Sequence, residues 1–419
     1  MISAIQAKNY RCFRYVYQEL ENFQVLVGPN ASGKTTFLDI VGFLGDLVSA
    51  GLDQAVNERT TNFFDLPWNR EGKSFELAVE LKIPNALINL YSISKYSHVR
   101  YEVSISYDDM TRETSIDTEK VLLKEPESTL IEQRSIFPVD PVVPITIITP
   151  PRQQRNRLVV NKVPGGNDNF YSEVYGEKGK GWAPSFKLGP KKSALGNLPE
   201  DETKFPVATW LKYIFTEGIQ KLVLNSLLIR KPSPPGQLKG FKPDGSNLPW
   251  VIDNLKTKAP SVFNNWIKHL RTALPEIYNI DTIERPEDRH RYLVIEYPGG
   301  LKVPSWMVSD GTLRLLALTL PAYLPDFSGV YLIEEPENGI HPKAVETLFQ
   351  SLSSVYTAQI LLATHSAVIL SVAKPSQILC FSKTSSGAAD IVDGSNHPAL
   401  KNWKGETNLG VLFAGGVLG

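Results

Sequence analysis

The chain reads as an α/β protein built from a phosphate-binding strand–loop–helix unit, an antiparallel β lobe and an inserted helical and loop-rich subdomain. Three observations predict this. The apolar run Val25-Leu26-Val27 stops in Gly28-Pro29-Asn30-Ala31-Ser32-Gly33-Lys34-Thr35-Thr36, after which Phe37-Leu38-Asp39-Ile40-Val41-Gly42-Phe43-Leu44 continues at helical spacing. Residues 73–83 and 100–107 alternate polar and apolar side chains with a period of two, as strands with one wet face do. Between residues 207 and 274, apolar side chains recur at helical spacing and are interrupted by prolines.

Composition narrows the class. At 419 residues the chain is too long for one simple core and suits roughly two or three domains. Its 44 basic and 44 acidic side chains cancel, so the protein is not coated in positive charge, although a local basic patch stays open. Two cysteines, Cys12 and Cys380, form no metal-ligand spacing and suit a reducing compartment as small apolar groups. The N-terminus lacks a signal pattern and no apolar run is long enough for a bilayer, so the expected location is the cytoplasm, with no membrane partner.

In order, residues 2–5 are expected to begin an edge strand, with Lys8-Asn9-Tyr10-Arg11-Cys12-Phe13 leading to a second strand near residues 15–20. Arg11 by charge and Tyr10 by stacking are candidates to approach a nucleotide. The helix after the Gly-rich loop runs to about Val48-Ser49 and stops at Gly51. Residues 131–205 lose periodicity, gather Pro, Gly, Asn and Lys, and read as an insertion outside the core. Arg152, Arg155, Arg157, Lys162, Lys178, Lys180, Lys187, Lys191 and Lys192, interleaved with Phe170, Tyr171, Tyr175, Trp182 and Phe186, fit a solvated lid and leave a nucleic-acid or partner surface open. Residues 207–229 read as a helix, and two further helices begin near Asn247 and Ser261. Strands at 280–284 and 292–297 follow, with Gly299-Gly300 marking the turn between them. The expected division is 1–130, 131–291 and 292–419.

The chemistry sits at the two ends. In G-x-x-x-x-G-K-T, Gly28 and Gly33 let the backbone curl so that the loop of Pro29, Asn30, Ala31, Ser32 and Thr36 wraps phosphate, every one of these residues except Pro29 offering its N–H; Lys34 reaches the β- and γ-phosphates and Thr35 offers a hydroxyl to Mg²⁺. A nucleoside triphosphate and Mg²⁺ are the implied ligands. Ser309-Asp310-Gly311-Thr312 opens a helix as a capped, anion-friendly start. Tyr331-Leu332-Ile333-Glu334-Glu335-Pro336-Glu337-Asn338-Gly339-Ile340-His341-Pro342 delivers two carboxylates to a strand end, Glu334 for the metal shell and Glu335 to polarise the attacking water. Another buried run ends in Thr364-His365-Ser366, where His365 can donate to a γ-phosphate oxygen.

Taken together, these motifs resemble the ABC-type ATPases of the SMC and RecF kind. Within them the chain looks most like the compact AAA-like group of bacterial anti-phage defence systems, including the ATPase half of the overcoming-lysogenization-defect nucleases. The segment Lys8-Asn9-Tyr10-Arg11-Cys12-Phe13 is similar too. The resemblance covers residues 1–45 and 300–370 and is loose in between. It implies an ABC-type P-loop NTPase fold in which Ser309 and Gly311 act in trans on the γ-phosphate held by a second protomer, so that ATP joins a homodimer or higher oligomer. The chain departs from the pattern in three places. Glu334 stands where Asp is usual, no Q-loop glutamine is assigned beyond the guesses Gln153 and Gln154, and the segment after His365 is too short for a fused nuclease. The ATPase is therefore expected to stand alone and to control a separately encoded effector, a nuclease or toxin. A RecF-like clamp on duplex DNA is the alternative; a transporter ATPase subunit fits the motifs less well, and a non-hydrolysing structural dimer is disfavoured by Glu335.

Overall fold

The computed structural model describes residues 1–90, 95–126, 134–150, 155–174, 183–237, 240–324, 327–401, 403 and 408–418. The chain opens with β1 (Ile2–Tyr10) and β2 (Phe13–Glu19), and β3 (Phe23–Val27) runs through the Gly-rich loop into α1 (Lys34–Ala50) and α2 (Leu52–Asn57). Strands β4 (Ser74–Lys82), β5 (His98–Asp108) and β6 (Glu113–Lys124) follow, with α3 (Asn85–Leu90) between the first two, then β7 (Asn156–Lys162), β8 (Asp168–Phe170) and β9 (Ser185–Phe186). Next come α4 (Pro206–Thr216), β10 (Ile219–Leu222), α5 (Ser226–Ile229), α6 (Leu248–Lys258), α7 (Pro260–Ala273), β11 (Asn279–Glu284), β12 (Arg291–Glu296) and β13 (Lys302–Pro304). The chain ends with α8 (Asp310–Thr319), β14 (Val330–Glu334), α9 (Pro342–Ser353), β15 (Gln359–Ala363), α10 (Ala367–Val372), β16 (Ile378–Lys383), β17 (Ala389–Asp393) and α11 (Leu409–Ala414).

Two sheets organise these elements. The antiparallel sheet has the order β2-β1-β4-β5-β6-β7-β8-β9, and the second has the order β10-β14-β15-β3-β16-β17, parallel except for its last pair. α1 lies between them. Phe37, Leu38, Ile40, Val41, Phe43, Leu44 and Leu47 are all buried, so this helix is apolar nearly all round, as a helix covered on both sides must be. The period-two geometry of β3 splits its side chains: Leu26 joins the core around α1, whereas Val25 and Val27 join a second core with α6 to α9 on the opposite face.

Several segments differ from their sequence reading. β1 is internal, paired with β2 and β4, and β2 is the edge strand. The stretch expected to lie outside the core supplies β7 to β9, and Val159, Val160, Phe170, Leu195 and Phe205 are fully buried. These strands are short and gain their apolar surroundings by pairing onto β6, a contact with no local periodic signature. The helix expected over 207–229 ends before Gly218, whose carbonyl accepts the Val330 N–H at 2.7 Å, and Ile219–Leu222 becomes a strand parallel to β14. Gly299-Gly300 turns the chain from β12 into β13; it does not separate β11 from β12. Arg152, Gln153, Gln154, Tyr175, Lys178, Lys180 and Trp182 lie outside the described residues. Among those described, no helix is long and apolar enough to cross a membrane.

Candidate functional site

Because β3, β14 and β15 run parallel side by side, their C-terminal ends bring three loops to one edge, where open α/β sheets place their ligands. The first is the Gly-rich loop. A Cβ on Gly28 would fall 2.3 Å from the Phe381 carbonyl oxygen, and Gly33, at φ 110°, would put one 2.9 Å from Cys12 Sγ, so both positions require glycine. Lys34 folds back onto its own loop, donating to the carbonyls of Gly28 at 2.8 Å and Pro29 at 2.9 Å. Burial pushes its ammonium down to about 8, against the pull of Glu335 and Glu334. Ser32 Oγ is buried without a hydrogen-bond partner among the described residues, an orphaned donor at the place an anion would occupy.

The second loop follows β14. Thr35 Oγ1 donates to Glu334 Oε2 at 2.6 Å, so the two residues expected at a metal already touch. A hydroxyl and a carboxylate converging at a strand end are the hard oxygen donors Mg²⁺ takes, and these residues fit it. Lys221, on β10, holds the other Glu334 oxygen at 3.1 Å. Glu335 adopts φ 45°, and Asn338 donates its amide to Glu335 Oε2 at 2.5 Å. The third loop carries His365 off the end of β15. A cavity of about 290 Å³ is lined by the residues 30–36 together with Glu334, Glu335 and His365.

Two further candidates lie elsewhere. Ser309 is exposed, caps α8 by accepting the Thr312 N–H at 3.2 Å, and does not line this cavity. Gly311 packs so closely on the following loop that a Cβ would sit 2.4 Å from the Gly339 carbonyl oxygen. Asp310 is held by Arg230 Nε at 3.0 Å. Arg11, at φ 49°, pairs with Asp39 on α1 at 3.3 Å, and the buried Tyr10 donates its hydroxyl to Asp39 at 2.8 Å. Neither lines the cavity; their neighbour Cys12 does. Sequence reasoning missed Lys221, Asn338 and Cys12. None of the three carried a local signal, since Lys221 reaches the site only through the pairing of Ile219–Leu222 with β14.

Residues 1–137 match the family described as "AAA ATPase domain", and residues 187–371 match "AAA domain, putative AbiEii toxin, Type IV TA system". No curated protein matches in sequence. Among solved structures, the Smc head bound to the C-winged helix domain of ScpA is 15% identical, with 93% of this chain and 97% of that chain covered and a TM-score of 0.50. The Smc head domain with an extended coiled coil bound to the C-terminal domain of ScpA, from Pyrococcus furiosus, is 14% identical, with 93% and 95% covered and a TM-score of 0.48. The fold is that of an Smc-head, ABC-type P-loop ATPase. The two family matches support an ATPase of the AAA type.

Proposed function

We propose that the chain is an ATP-binding and ATP-hydrolysing dimeric switch that controls a separately encoded effector in anti-phage defence. The observation that carries this reading is the division of the motifs: Lys34, Thr35, Glu334, Glu335 and His365 share one cleft, and Ser309 stands exposed outside it. On this reading Lys34 leaves its loop carbonyls for the β- and γ-phosphates, and Thr35 and Glu334 hold Mg²⁺. The metal, when bound, neutralises charge on the phosphate oxygens. Glu335 accepts the proton of the attacking water, and His365 donates to a γ-phosphate oxygen. Ser309 and Gly311 reach the nucleotide held by a second protomer.

The effector part of the proposal rests on two further observations. The family matched by residues 187–371 is described by a toxin of a toxin–antitoxin system, and the Smc head cited above was solved with a partner domain bound. A partner-controlling ATPase suits both. Among the described residues no group of three or more His, Cys, Asp or Glu could hold a metal ion for nuclease chemistry.

The test compares the unmutated chain with Lys34→Ala and Glu335→Gln for fluorescent-ATP binding, phosphate release and mass in solution, alone and with the products of neighbouring genes. Lys34→Ala should lose binding. Glu335→Gln should bind, stop hydrolysing and accumulate as an ATP-dependent dimer. Hydrolysis by Glu335→Gln at the unmutated rate would remove the base assignment. Tight, strongly salt-dependent binding to duplex DNA that no neighbouring gene product alters would favour the RecF-like clamp instead.

A further inference from the structure

The loop after β14 contains a third carboxylate, Glu337, which the chemistry above leaves without a task. Its Oε1 accepts the Thr364 hydroxyl at 2.6 Å and the His365 backbone N–H at 3.2 Å. Thr364 is fully buried, and its oxygen accepts in turn the Ser366 N–H at 2.9 Å. Ser366 Oγ caps α10 by accepting the Ile369 N–H at 3.3 Å. One carboxylate oxygen therefore fixes the whole turn on which His365 stands. The other, Oε2, is buried with no hydrogen-bond partner among the described residues. Native proteins leave few such atoms unpaired, because each forfeits hydration without return.

The loop that presents Glu337 is itself tightly held. Glu335 closes the β14–β15 ladder through its N–H to the Ala363 carbonyl at 2.8 Å, Asn338 N–H donates to the Glu335 carbonyl at 3.1 Å, and Ile340 N–H donates to the Glu337 carbonyl at 3.0 Å. Within four residues the chain thus secures the Glu335 carboxylate through Asn338 and the His365 backbone through Glu337. Reacting groups gain most when their spacing is set before substrate arrives.

We propose that Glu337 is a positioning residue for hydrolysis, holding His365 at a defined separation from Glu335 so that both address the same γ-phosphate. This inference rests on the ATPase reading above. Glu337 acts through the turn and does not itself meet the nucleotide. What it supplies is an acceptor at one place, so Gln, which keeps an acceptor oxygen, should serve nearly as well, and Ala should not.

The experiment uses the full chain and five variants: Glu337→Ala, Glu337→Gln, His365→Ala, the double variant Glu337→Ala/His365→Ala, and Glu335→Gln as the non-hydrolysing control. Glu337→Ala should lower kcat by roughly tenfold or more with KM within about twofold, the double variant should be no slower than His365→Ala alone, and Glu337→Gln should stay within about threefold of the unmutated rate. An independent readout is the His365 ring signal in histidine-labelled protein, assigned among the six histidines by its loss in His365→Ala. On the Glu335→Gln background, ATP should shift that signal, and adding Glu337→Ala should abolish the shift. Multiplicative losses in the double variant, a normal ATP response of the ring in Glu337→Ala, or equal losses in Glu337→Ala and Glu337→Gln together with a lowered melting temperature would each overturn the proposal. If the unmutated chain binds and hydrolyses ATP while Glu337→Ala is normal, only this inference falls; if the unmutated chain does neither, the ATPase reading falls and takes this inference with it.

Discussion

At Glu335 the backbone turns to φ 45°, a region that costs a side-chain-bearing residue on the order of 1 kcal/mol or more. A glycine would sit there without strain, so the carboxylate is kept at the expense of stability. Glu335→Gly is therefore expected to abolish phosphate release while leaving the melting temperature unchanged or slightly raised. A clear drop in melting temperature would mean that the bond from Asn338 outweighs the strain.

Glu173 poses the opposite case, a residue retained for structure. Fully buried, it accepts the N–H groups of Val207 at 2.7 Å and Ala208 at 2.8 Å, which serves the start of α4, where Phe205 offers no side-chain cap. Burial raises its carboxyl from 4.5 to about 7, against the opposing effects of those two N–H groups and of Arg157. A raised carboxyl favours the protonated folded state, so this contribution is complete below the unfolded pKa and is lost as pH rises through the folded one. Stability should fall by on the order of 3 kcal/mol between about pH 4.5 and 7 from this residue. Glu173→Gln should flatten that part of the profile of urea midpoint against pH; identical slopes would show that the Glu173 carboxyl titrates alike in the folded and unfolded chains.

Among the elements, the segment at residues 145–149 has no ladder of its own and crosses the face of the antiparallel sheet. Lys8 takes the Ile145 carbonyl, Glu76 takes the Ile147 N–H at 2.7 Å, and Arg100 takes the Ile147 carbonyl at 2.9 Å. Glu102 receives the Thr149 N–H at 2.7 Å and its hydroxyl at 2.8 Å, and Lys120 takes the Thr149 carbonyl at 2.5 Å. Side chains from β1, β4, β5 and β6 thus replace a neighbouring strand in satisfying this backbone. Glu102 is fully buried and also pairs with Arg100 Nε at 2.7 Å, so Glu102→Ala leaves a buried guanidinium short of a partner. The expected loss is roughly 3–5 kcal/mol, with faster hydrogen exchange at Ile147 and Thr149. Lys73→Ala, which breaks an ion pair with Asp109 in which both side chains are more than half exposed, should change stability by less than about 1 kcal/mol. Comparable losses from the two substitutions would contradict this ranking.

For the whole molecule, the question is where Ser309 acts. It is exposed, and Trp306 and Met307 just before it are 49% and 71% exposed. If Ser309 completes a site on a second protomer, Lys34→Ala and Ser309→Arg each inactivate both sites of their own homodimer. A mixed dimer rebuilds one intact site from Lys34 of one chain and Ser309 of the other. With random pairing, half the dimers are mixed and half their sites intact, so roughly a quarter of the unmutated activity should return on mixing. No recovery, with mixed dimers demonstrated by differential tagging, would place Ser309 outside the reaction.

How much of this was legible beforehand depends on the range of the interaction concerned. The Gly-rich loop, the carboxylates of β14 and the alternation in β4 and β5 are local patterns: glycine positions, apolar runs and period-two alternation depend on residues a few places apart. The sequence by itself therefore determined the phosphate-binding loop, the acidic strand end and the presence of an antiparallel lobe. It did not reveal that Ile219–Leu222 is a strand, since its partner Val330 to Ile333 lies far along the chain and its four residues fit a helix equally well. For the same reason β7 to β9 looked like insertion until β6 offered them an edge. Tertiary structure alone decided that Lys221 reaches Glu334, that Arg11 pairs with Asp39, and that Glu337 carries the turn of His365. Each is a contact between segments joined by packing, and packing is set by which surfaces the whole chain can bury together, a property no short stretch of residues contains.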